Sequence, residues 1–268
     1  MEVVLLLNLM EEEVIQLIIL VPAIILSLIA GIFLIIRGNN KLDKGMISLG
    51  ISYILMICFF IVWGANIWSF IVNYSIMYAV YMGMNFFTKF TFYEKRKSKF
   101  NIILIATTIN FIILVIPKIL KELNFYVDLI DSYNGKVLDN VFSITWAVIV
   151  FGWLAYAGIE SYNQIKNKNV QPWVKKRLLL VIYSSILLMF VSVPDLIDIL
   201  TGRVFHDYVF YIQMTMIATI MVMEFLAWVM PKGLKRFFNR GYIIEKDIET
   251  ELSEEEIIKQ MTEGDENK

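Results

Sequence analysis

Seven apolar runs, most of them about as long as a bilayer is thick, limit what this chain can fold into. They cover residues 14–36, 46–63, 67–90, 101–117, 141–160, 178–200 and 207–230. A helix of about 20 residues rises roughly 30 Å, the depth of the hydrocarbon layer. Inside that layer each backbone N–H and C=O must bond within its own segment, so the runs must be helical despite their Ile and Val content. The break between the second and third runs is short: Gly64, Ala65 and Asn66 make a tight hairpin, because 46–90 is too long for one crossing. The predicted fold class is all-α, a polytopic seven-helix transmembrane bundle in a cell membrane. Composition agrees: 58% of residues are hydrophobic and mean hydropathy is +0.66, above the roughly 45–50% apolar content of soluble domains.

The basic residues predict orientation. Arg37, Lys41 and Lys44 fall in the first loop, Lys95, Arg96, Lys97 and Lys99 in the third, and Lys166, Lys168, Lys175, Lys176 and Arg177 in or beside the fifth. Lys232, Lys235, Arg236 and Arg240 follow the last span. The alternate loops hold only Lys118, Lys121, Lys136 and Arg203. Cytoplasmic loops concentrate Lys and Arg, so the N-terminus is expected outside and the C-terminus inside. Residues 1–13 form a short outer segment with no basic region ahead of Glu11–Glu13, unlike a cleaved leader. Residues 14–242 form the bundle, and 243–268 an acidic cytoplasmic tail.

Several membrane chemistries need residues that are missing. His206 is the single histidine, which excludes bis-histidine haem ligation. Cys58 is the single cysteine, so there is no intrachain disulfide and no Cys/His zinc cluster. The last span lacks a mid-membrane lysine for a retinal Schiff base, and no phosphate-binding glycine loop or nucleophile elbow is present. Neither catalysis, cofactor nor metal is expected. The short inner basic loops suit anionic lipid rather than nucleic acid.

The polar residues left at membrane depth are the functional candidates. Asp195 and Asp198 lie three residues apart on the sixth span, after Pro194, which is expected to kink the helix. Both are expected to line an outer vestibule. On the seventh span, His206, Gln213 and Glu224 fall within about 20° of one another at 100° per residue. This stripe should face the bundle, either as a polar relay or switch (Gln213, Glu224) or as interhelical glue. The third span carries Ser69, Asn73, Tyr74, Tyr78, Tyr81, Asn85 and Thr88, so a central place is expected for it. Trp146, Trp153 and Glu160 recur at seven-residue spacing on the fifth, a seam suited to helix packing.

Lys175-Lys176-Arg177-Leu178-Leu179-Leu180 opens the sixth span, Val193-Pro194 interrupts it, and Met230-Pro231-Lys232-Gly233-Leu234-Lys235-Arg236 closes the seventh. With the expected topology, these stretches resemble the N-terminal seven-transmembrane sensor region of bacterial and archaeal histidine kinases. The resemblance implies sensing of a ligand or of the membrane state. No kinase domain follows the last span, so output would pass through a cytoplasmic signalling partner.

Three roles therefore stay open. A receptor-like sensor would bind a small, cationic ligand from outside near Asn73, Asp195, Asp198 and His206. A secondary transporter or proton pathway would use Asp195 and Glu224 as stations. A scaffold subunit would use the polar residues only to join helices. Membrane lipid and a second copy of the chain complete the expected partners.

Overall fold

The computed structural model describes the backbone of residues 2–65, 70–94 and 96–240. Side chains are described from residue 21 onward within those ranges, except at 63–65, 70, 129, 206, 207 and 210. The tail at 243–268 and the side chain of His206 therefore lie outside the described residues. The described chain is helical: α1 (Glu2–Lys41), α2 (Lys44–Ala65), α3 (Phe70–Phe92), α4 (Phe100–Glu122), α5 (Val127–Ile130), α6 (Tyr133–Ile165), α7 (Pro172–Phe190), α8 (Val193–Leu200), α9 (His206–Val229) and α10 (Lys232–Phe238).

Six stretches are long and apolar enough to cross a membrane: Val21–Lys41, Lys44–Val62, Phe100–Glu122, Tyr133–Ile165, Pro172–Leu200 and Tyr211–Val229. The chain is a helical, multi-pass membrane protein. Helix α3 has the length but not the apolarity, because it carries Asn73, Tyr74, Tyr78, Tyr81, Asn85 and Thr88, whereas Ser69 lies outside the described residues. Its Asn85 and Thr88 are buried against protein, as are Val80 and Phe87. The Asn85 amide donates to Thr107 Oγ1 at 3.0 Å, and Tyr78 and Thr108 share a hydrogen bond of 3.1 Å. Helix α3 packs on α2, α4 and α6. Its N-terminal end is tied to α6 by Tyr74 Oη donating to Asp139 at 3.1 Å. Just past its C-terminal end, Tyr93 donates to Glu160, further along the same helix, at 2.8 Å.

Helices α1 and α2 approach closely through small residues. A Cβ on Gly50 would stand 2.8 Å from the carbonyl oxygen of Gly31, and one on Gly38 2.9 Å from the amide nitrogen of Ile47. In lipid there is little hydrophobic force between helices, so backbone proximity and the contacts it permits hold such pairs together. The next hairpin, α2 with α3, is closed by Ser52 Oγ donating to the Val80 carbonyl at 3.2 Å. The core lies around α3 and α6, where Trp146 meets Tyr81 edge-on (ring centroids 4.6 Å) and Trp153 stacks on Tyr93 (5.9 Å). Helix α9 closes the bundle by packing on both α7 and α1.

The sixth apolar run is broken rather than kinked. Helix α7 stops at Phe190 and α8 restarts at Val193, with Pro194 in its first turn. Proline is tolerated there because the first N–H groups of a helix have no intrahelical acceptor. Two other helices outrun their apolar cores. Helix α6 starts at Tyr133, where Ser132 Oγ accepts from the Gly135 amide at 3.1 Å, and α4 continues past Pro117 to Glu122. Helix α1 runs without interruption from Glu2, so residues 2–13 are continuous with the first apolar run.

Candidate functional site

The C-terminal half of α9 carries Glu224, 6% exposed, at the junction of three helices. Tyr53 Oη of α2 donates to Oε2 at 2.7 Å, and the indole Nε1–H of Trp228, one turn on, donates to the same oxygen at 2.6 Å. Ser184 Oγ of α7 donates to Oε1. Three donors thus converge on one carboxylate, the arrangement that makes a buried acidic group tolerable in an apolar medium. Trp228 is itself held on two further sides. Phe87 of α3 meets it edge-on at 4.9 Å, and the Arg177 guanidinium lies 4.9 Å from its ring centroid.

The other end of α9 has its own tie. Gln213 Nε2 donates to Asp195 Oδ2 at 2.6 Å and to the Val191 carbonyl at 3.2 Å. That carbonyl lies in the break between α7 and α8, so one amide secures both the break and the carboxylate after it. Gln213 and Glu224 both point into the bundle. Eleven residues separate them, about 16 Å along the helix axis.

The structure divides the aspartate pair. Asp195 is half-buried against α9, whereas Asp198 is buried and its Oδ1 accepts the Phe205 amide at 3.2 Å. The Asp198 carbonyl also accepts from the Arg203 amide at 2.7 Å. Asp198 thereby shapes the turn that leads into α9. Asn73 is on α3, whose neighbours are α2, α4 and α6, while α8 packs on α6 and α9. Its buried Oδ1 accepts no hydrogen bond from the described residues. His206 is the first residue of α9.

At the opposite end of the bundle, cationic and aromatic groups interleave. The Lys235 ammonium of α10 stands 4.2 Å from the ring centroid of Trp173, and Trp173 N donates to Asn239 Oδ1 at 3.3 Å. Burial pushes Lys235 below its ordinary pKa, and the charges of Arg37 and Arg177 act in the same direction. Helix α10 is thus held on α7 through Trp173, beside a basic cluster drawn from α1, α7 and α10. Among the described residues no three of His, Cys, Asp and Glu come together as a metal site.

Sequence reasoning picked out Gln213, Glu224 and Asp195, the partner of Gln213, but not the three donors to Glu224. Trp228 was accessible as the residue four positions after Glu224. Ser184-Ser185 and Tyr53 were the remaining signals, polar residues in mid-run on α7 and α2. Comparison with protein-family models, curated proteins and solved structures gives no match for this chain.

Proposed function

We propose that this chain is a receptor-like membrane sensor with seven spans, an outer N-terminus and a cytoplasmic C-terminus, in which α9 carries a signal from the outer side to α10. The two ties between α3 and α6 support the seventh crossing, since a helix joined at both ends to a spanning helix shares its depth. The alternation of basic loops supports the orientation. The observation that carries the sensing role is the Glu224 junction. One side chain on α9 holds α2, α7 and its own Trp228, so a rotation or shift of α9 must break or remake several bonds together. A packed element with two discrete arrangements is what a switch requires. The Gln213–Asp195 bond supports an outer input through the same helix, and the Arg177–Trp228 contact supports an inner output toward α10.

The transporter reading needs polar groups between Gln213 and Glu224. The buried side chains of α9 between them, Met214, Ile220 and Met221, are apolar. That favours a sensor over a conduction path.

Two measurements test the proposal. A reporter fused after Lys268 is expected to be active only in the cytoplasm; external activity would reverse the topology. A fluorophore placed on Arg236→Cys, in a Cys58→Ala background, is expected to respond when quaternary ammonium or divalent cations are added outside sealed proteoliposomes. Glu224→Gln should reduce that response. Accumulation of the cation or of protons inside the liposomes would support transport instead, and silence toward all probes with an intact fold would favour a scaffold.

A further inference from the structure

A cleft of about 480 Å³ opens between the end of α4, α5 and the start of α6, away from the α9 network. Its walls include Lys118, Lys121, Lys136, Asp131 and Asp139, with Ile130 as the apolar side. The volume lies within the roughly 300–1,000 Å³ of small-molecule sites. Lys118 Nζ is 3.1 Å from Asp139 Oδ2, the oxygen that also accepts from Tyr74. Lys121 Nζ is 2.6 Å from Asp131 Oδ1, and both side chains are more than a third exposed. The hydrogen bond from Lys121 holds the Asp131 carboxyl below its ordinary pKa, and the charges of Lys136 and Lys118 act in the same direction. Lys121 thus bonds Asp131 directly, and Lys118 and Lys136 line the same cleft.

The level of the cleft matters as much as its charge. Lys118 and Lys121 stand in the last turns of the spanning helix α4, and Lys136 in the first turn of the spanning helix α6. That is the depth of lipid headgroups. The lining has three cations against two carboxylates, so a further cation is repelled and an anion attracted. An ammonium has three N–H donors. Lys121 can keep Asp131 on one and still serve a second acceptor. An exposed pair of this kind adds little to stability, so an incoming anion could share or replace it at little cost.

We propose that this cleft binds a phosphate group, supplied by a phospholipid headgroup or by a soluble phosphate, with Lys121 and Lys136 as direct donors. Lys118, braced by Asp139 and Tyr74, forms the back of the site. The proposal stands apart from the role of α9 and can fail alone.

The test uses the full chain purified in a detergent without phosphate. Retention of phosphatidylglycerol is followed by native mass spectrometry, and inorganic phosphate and glycerol phosphate are titrated by thermal shift. The double variant Lys121→Gln/Lys136→Gln is expected to bind about ten-fold more weakly, as loss of two solvent-exposed charge contacts implies. Lys121→Arg/Lys136→Arg should keep most of the affinity. The variant Arg203→Gln, at an exposed cation outside both the cleft and the inner basic loops, should match the wild type. Binding of phosphatidylglycerol alone identifies a lipid site; binding of the soluble phosphates identifies a free-ligand site. The proposal is overturned if no phosphate compound binds, or if the double glutamine variant, folded by circular dichroism, binds as well as the wild type.

Discussion

Glu224→Ala is expected to lower the unfolding free energy of the bundle by about 2–3 kcal/mol. The substitution leaves Tyr53 Oη and Trp228 Nε1 without this acceptor, while Ser184 Oγ falls back on the Val181 carbonyl at 3.0 Å. A buried donor stripped of its partner costs about 1–3 kcal/mol in soluble proteins, but interhelical hydrogen bonds in membranes average only about 0.6 kcal/mol. Two such losses between these figures, plus the void left by the carboxylate, give the expected value. Glu224→Gln keeps an acceptor oxygen at the junction but places an NH₂ where Glu224 accepted, so it should fall between alanine and the wild type. Equilibrium unfolding in mixed detergent micelles gives the comparison. An alanine variant as stable as the wild type would mean that the junction does not hold the helices together.

Gly50→Val is expected to be at least as damaging, through packing rather than polarity. A Cβ at Gly50 would stand 2.8 Å from the Gly31 carbonyl oxygen and 3.1 Å from the Ile35 amide nitrogen. Both are backbone atoms of α1, so no side-chain rotation relieves the contact and α1 itself must move. Overpacking of this kind costs about 1–3 kcal/mol, and a β-branched side chain should reach the upper end. Gly152 is the control: a Cβ there would meet Met189 Sδ at 3.4 Å, an ordinary contact with a flexible side chain. Gly152→Ala should therefore be nearly silent. Equal yields of folded Gly50→Val and Gly152→Ala from size-exclusion chromatography would show that α1 and α2 are not held at the described distance.

The contrast between these residues shows what the sequence made legible. The helices followed from apolar length, and the inward face of α9 from the spacing of Gln213 and Glu224. The central place of α3 followed from Asn85, Thr88 and the tyrosines, which lipid would not accommodate. Partner choice did not follow. In lipid an apolar helix shows no polar face opposite its packed one, so periodicity along α1 or α2 says little about what each helix touches. Gly31 and Gly38, seven residues apart, were the available signal for the α1–α2 contact. The α7–α8 break was read as a kink because Pro194 alone does not reveal that the helix stops before it. The local use of Asp198 depends on the turn at 201–205, which hydropathy does not describe.

The position of Glu224 also governs the order of assembly. Tyr53 is synthesised 171 residues before it and Ser184 40 residues before it. Both hydroxyls enter the membrane ahead of the carboxylate that will accept from them. A lone carboxylate is costly in lipid, so α9 inserts favourably only where the hydroxyls of Tyr53 and Ser184 already face the place it will take. Because α9 also packs on α1, its arrival joins the earliest helix to the latest. The chain lacking α9 has an open seam between α1 and α7, which closes only once synthesis passes Trp228.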